Sequence, residues 1–104
     1  MTTKRKPKLN EKPLSCFPAE IYKAALIKWG YQSQVGMLFE EMGELLQILN
    51  KYDRKKATIE QVQDELADVQ IMVEQMAVVY GRERVHRRKL EKLVRLEKLL
   101  KVRP

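Results

Sequence analysis

Two short acidic runs carry the side chains best suited to chemistry, Glu40-Glu41-Met42-Gly43-Glu44 and Asp64-Glu65-Leu66-Ala67-Asp68. Each holds carboxylates three residues apart, Glu41 with Glu44 and Glu65 with Asp68, and that interval sets both on one helix face. At ~100° per residue, Glu41 and Glu65 fall inside the apolar sectors of their segments and Glu44 and Asp68 at the margins. Glu40 and Asp64 turn to solvent. Surface charges avoid an apolar sector, because burying an unpaired carboxylate is costly. With the intervening turn centred near residues 55–56, the two pairs overlap along the axis to within about one helical turn, ~5 Å. Four converging carboxylates repel, and a divalent cation is the economical remedy. An all-oxygen set favours the hard ions Mg2+ or Mn2+. Iron and zinc are disfavoured: the one histidine, His86, follows neither run, and the single cysteine, Cys16, excludes a cysteine cluster. The bland alternative is that such spacings are common on exposed helices; matching depth and intrusion on both apolar faces weigh against it.

The elements that must position these acids are helices. After Pro18, which suits a first turn, Ile21, Tyr22, Ala25, Leu26 and Trp29 recur at helical spacing up to a break at Gly30. A second helix is predicted over about 32–52, with Val35, Leu38, Met42, Leu45 and Leu49 as its core stripe and Gln34 inside it. Asp53-Arg54-Lys55-Lys56 reads as a polar turn. Thr58 and Gln61 form a capping-box pair that starts a third helix. Its stripe is Ile59, Val62, Leu66, Val69, Val73, Met76 and Tyr80, and Gly81 ends it. A fourth, strongly charged helix is predicted over about 82–102, with Leu90, Leu93, Leu96 and Leu100 as its stripe. The expected fold is all-α, a helical hairpin inside a four-helix-bundle-like domain.

Length and charge bound the rest. A chain of 104 residues is one domain, small enough that it is expected to cover part of its apolar surface with another copy. Residues 1–14 read as a flexible basic arm and residues 15–104 as the folded domain. Five Lys/Arg against one Glu give residues 1–12 a charge of +4; six against ten give 13–81 a charge of −4; ten against three give 82–104 a charge of +7. An acidic centre between basic ends suits a metal that meets a phosphate-bearing ligand; the alternative is a solvated face or a nucleic-acid-attracted tail. Trp29 and Tyr31 flank the break at Gly30, as core or interface aromatics or with one stacking on a nucleobase. With no secretory h-region and no long apolar run, the expectation is a soluble, cytoplasmic chain without membrane contact.

The run Trp29-Gly30, Gln34, Glu40-Glu41-x-x-Glu44-Leu45 and Glu65-Leu66-Ala67-Asp68-Val69 resembles the MazG-like branch of the all-α nucleoside triphosphate pyrophosphohydrolases, and most of all its short, single-domain phage and prophage members. The segment Ile71–Met76 and the element Lys92-Leu93-Val94-Arg95-Leu96 extend the likeness over about residues 18–100. The resemblance implies Mg2+-dependent cleavage between the α and β phosphates of a (d)NTP, with Mn2+ as a substitute ion. It implies that Glu41, Glu44, Glu65 and Asp68 hold the metal, one of them also acting on the attacking water. Glu40 matches the family's first acid and is carried as a supporting or base residue. Gln34 and Trp29 would face the substrate, Lys92 and Arg95 its phosphates, and Lys89, on the apolar side of its helix, is a structural rival for that role. A homo-dimer or homo-tetramer is implied as well. Two features depart from the family pattern: the basic arm, and a last helix richer in Arg and Lys than phosphate binding requires. They keep a small nucleic-acid-binding regulator in view, and a catalytically inactive nucleotide sensor shares every acid with the enzyme. The last helix lacks helix-turn-helix or zinc spacing.

Overall fold

The structure, a computed structural model, describes residues 18–101. The basic arm, Cys16 and Val102 lie outside the described residues. Four helices follow one another: α1 Pro18–Trp29, α2 Tyr31–Asp53, α3 Ile59–Tyr80 and α4 Arg82–Lys101. The fold is all-α. Its centre is the antiparallel α2–α3 hairpin, against which α1 packs, whereas α4 closely approaches α3 alone.

Each junction has a local cause. Gly30 joins α1 to α2 by itself: its N–H donates to the Leu26 carbonyl at 2.9 Å and its carbonyl accepts from the Gln34 N–H at 3.1 Å. It does so at φ 85° and ψ 158°, a conformation that glycine adopts readily and other L-residues resist. The end of α2 is a Schellman motif, with the Lys55 N–H donating to Tyr52 O and the Lys56 N–H to Lys51 O at 2.9 and 2.7 Å. Lys55 occupies its left-handed position at φ 62°. Thr58 then caps α3 in a complete capping box: Thr58 Oγ1 accepts from the Gln61 N–H at 3.2 Å, and the Thr58 N–H donates to Gln61 Oε1 at 2.9 Å. Gly81, left-handed at φ 106°, makes the elbow between α3 and α4.

The buried apolar side chains among the described residues are Val62, Met72 and Met76, all on α3, and none of these residues is fully enclosed. The predicted stripes are rotated. Met42 and Leu49 on α2 are exposed, as are Ile59, Leu66, Val73 and Tyr80 on α3. What turns inward on α2 is the row Gln34, Leu38, Glu41, Leu45 and Ile48, stepping by four and three. The row Val35, Phe39, Met42, Leu46 and Leu49 runs along another side of the same helix. Thus α2 is apolar on two faces, and the hairpin uses the one that carries the polar groups. On α4 every described residue is exposed, including its leucine stripe.

Candidate metal centre in the helical hairpin

The inward face of the hairpin is a ladder of polar and apolar rungs. At the open end the Tyr31 and Tyr80 hydroxyls hydrogen-bond, with their rings edge to face at 6.3 Å. One rung further in, the Gln75 amide Nε2 donates to Gln34 Oε1 at 2.6 Å. These two glutamines are 2 % and 3 % exposed, and Gln34 Nε2 is a buried donor with no acceptor among the described residues. Seven residues further along α2 lies Glu41, and seven back along α3 lies Asp68, so the acids recur one heptad, ~10 Å, beyond the amides.

At that level one carboxylate oxygen each from Glu41, Glu44 and Glu65 lie within 4.8 Å of one another. Glu41 is only 4 % exposed, Glu65 is half-buried and Glu44 opens to solvent. The arrangement is a closed floor with one open side. Asp68 is half-buried on the same helix as Glu65 but falls outside the three-oxygen group. Glu40 and Asp64 are exposed, as their angular positions predict. Carboxylates this close repel by roughly 3 kcal/mol per pair at an effective dielectric of about 20, so the cluster favours a cation. The donor set is all oxygen and multidentate, the chemistry of a Mg2+ or Mn2+ site, and the residues present fit such an ion.

The remaining predicted residues lie elsewhere. Trp29 is half-exposed at the end of α1, where the Lys28 ammonium sits 5.3 Å from its ring centroid. Lys89 and Lys92 line a groove of about 560 Å³ at the α3–α4 elbow, whose apolar lining includes Tyr80, Leu93 and Leu96. Arg95 lies off that groove on α4. A second cleft, of about 640 Å³, opens between α1, α3 and α4 around Tyr22, Glu74 and His86. Tyr22 donates its hydroxyl proton to the Glu74 carboxylate. Burial first, and that hydrogen bond second, push its pKa up to about 12. The Tyr31 hydroxyl is raised too, chiefly by its hydrogen bond with Tyr80.

Sequence reasoning placed Gln34 inside the face but missed its partner, Gln75. The signal was present: Gln75 follows Asp68 by the same seven residues that separate Gln34 from Glu41. Comparison with known proteins found no match to a family model, to a curated protein or to a solved structure. Among the described residues no helix is long and apolar enough to cross a membrane.

Proposed function

We propose that the chain is a metal-dependent nucleoside triphosphate pyrophosphohydrolase that cleaves a (d)NTP between its α and β phosphates. The observation that carries this reading is the convergence of Glu41, Glu44 and Glu65 within 4.8 Å, with Glu41 held in the hairpin interior. Glu41, Glu44 and Glu65 would hold Mg2+, or Mn2+ in its place, with Asp68 at the rim. Bound there, the ion would supply charge neutralisation at the phosphate oxygens.

The chain's own contribution is position and proton handling. Water attacks the α phosphorus, the new P–O bond forms as the bridge to the β phosphorus breaks, and pyrophosphate leaves with the electron pair of that bridge. A carboxylate at the open side, Glu44 or the neighbouring Glu40, takes the proton that water loses. Gln34, whose buried amide donor has no acceptor among the described residues, and Trp29 are assigned to the nucleoside end. Lys89, Lys92 and Arg95 are assigned to the phosphates, and the active form is a homo-dimer or homo-tetramer.

The test is incubation with Mg2+ and a panel of ordinary NTPs and dNTPs, reading pyrophosphate and orthophosphate separately. Pyrophosphate together with the matching monophosphate, abolished by EDTA, is the expected result. Orthophosphate alone, or no turnover on any substrate, would overturn the reading.

A further inference from the structure

From the placement of charge on α4 we infer that the cationic side of this helix docks on duplex DNA, its side chains reaching the phosphates that wall the major groove. The inference does not rest on the catalytic reading and needs none of the residues assigned to it. All 20 residues of α4 are exposed. Nine Lys/Arg against three Glu give the helix a charge of +6, whereas nine acids against four cations leave residues 31–80 at −5. Because α4 closely approaches the rest of the chain through α3 alone, most of its positive charge stands clear of the acids that could neutralise it.

Where the cations sit on the helix says more than their number. At ~100° per residue, Arg84, Arg87, Arg88, Lys98 and Lys101 fall in one sector about 140° wide, opposite Leu93, Leu96 and Leu100. The sector extends along ~26 Å of helix. Arg84 has Arg87 three residues on and Arg88 four on, and Lys98 has Lys101 three on; like charges at those intervals weaken a helix. A polyanion along that side relieves the repulsion. Two of the five cations meet acids of their own helix, Arg88 with Glu91 and Lys101 with Glu97. Both pairs are solvent-exposed and therefore weak, so phosphates can take the place of the acids.

The same arrangement separates the polyanions. Sinking the leucine side into an anionic bilayer would carry Arg82, Lys89 and Glu97 with it, since at ~100° per residue all three fall among the leucines. Single strands are held by stacking on aromatic rings as well as by charge, and α4 has no Phe, Tyr or Trp. The deep, narrow major groove of duplex RNA is closed to a helix, whereas that of B-form DNA, about 12 Å wide, admits one. A sector as wide as that on α4 addresses both walls of such a groove. Phosphate contacts carry no sequence information, so the lack of a helix-turn-helix is no obstacle. The acidic hairpin is repelled by DNA, which leaves the cationic side of α4 as the face presented to it.

Fluorescence anisotropy of a labelled DNA duplex with the full native chain reads the contact. Each phosphate contact contributes about −0.9 to the slope of log affinity against log salt, so four or five contacts give a slope of roughly −4. R84Q/R87Q removes two of them: the slope should flatten by about 2, with a loss on the order of 10–100-fold near 0.1 M salt. R84K/R87K keeps both charges and should keep the native slope. Both positions are exposed, so circular dichroism should show unchanged helix content in the two variants. Because the readout is DNA binding, it stands whether or not the chain hydrolyses nucleotides. A native chain without salt-dependent DNA binding would overturn the inference, as would an R84Q/R87Q protein with native affinity and slope. Equal or tighter binding to duplex RNA, to single-stranded DNA or to vesicles of phosphatidylcholine and phosphatidylserine would overturn it in favour of that partner.

Discussion

At the scale of single residues, Glu41 has the most consequence. It is the most enclosed of the three clustered acids, so it sets the negative floor of the site, with Glu65 half-buried and Glu44 open to solvent. Adding Mg2+ at a hundred times its dissociation constant should stabilise the native chain by ~2.7 kcal/mol, which for a domain near this size raises Tm by roughly 10–20 °C. In Glu41→Gln the rise should vanish and turnover should fall about 100-fold or more, since loss of even an outer-shell metal contact costs 10–100-fold. Differential scanning with and without the ion reads the first effect, and a pyrophosphate assay the second. Tyr22 makes a separate prediction. With its folded pKa lifted to about 12 from an ordinary 10.0, the folded protein keeps a proton that the unfolded chain gives up. Its contribution is therefore complete below pH 10 and is lost as pH rises toward 12. The stability gap between the native chain and Tyr22→Phe, measured by urea unfolding, should be larger at pH 9 than at pH 11.5. Glu41 lies within an apolar sector by angular count and is buried, although the count alone did not say which row of α2 meets α3; the Gln34–Gln75 bond was not legible, because an amide carries no charge to make its position costly and so draws no attention.

At the scale of elements, the junctions were legible and the helix faces were not. Thr58 with Gln61, Gly30 and Gly81 act through their own backbone and nearest neighbours, so local chemistry fixes them wherever the helices go. The facing of α2 is different. Rows through Leu38 and Leu45 and through Phe39 and Leu46 are both apolar at helical spacing, and nothing local says which one meets α3. Tertiary packing chose the row that includes Gln34 and Glu41, which rotated both stripes toward the acids and left Met42, Leu49 and Leu66 outside. Two substitutions test the local account. Thr58→Ala removes the side chain's half of the capping box and should cost ~1 kcal/mol, or about 4–8 °C in Tm. Lys55→Gly should act in the opposite direction by ~1 kcal/mol, because glycine occupies the left-handed position of the Schellman motif without a Cβ penalty. Neither residue reaches the acids, so Mg2+ should raise the Tm of both variants as it does that of the native chain.

At the scale of the whole molecule, the chain divides its charges as it divides its labour. Residues 31–80 hold nine acids against four cations, while α4 holds nine cations against three acids, and α4 closely approaches the hairpin through α3 alone. Packing of a second copy against the hairpin, as the proposed homo-oligomer requires, would let the cationic helix offset the charge of the acidic hairpin. Such association would also make stability a property of concentration. If folding and association are linked, Tm must rise with protein concentration, since binding favours only the folded form. It must also respond to salt. Raising ionic strength from 0.1 to 1 M shortens the Debye length from about 10 to about 3 Å, which weakens attraction between exposed charges on α4 and α2 while leaving apolar contact in place. Thermal scans at ~5 and ~200 µM in low salt should therefore separate by several degrees, and dissociation on dilution should come at a higher protein concentration in 1 M salt than in 0.1 M. A Tm independent of concentration would mean that the four helices of one copy hold themselves together, and that the open row on α2 has some other occupant.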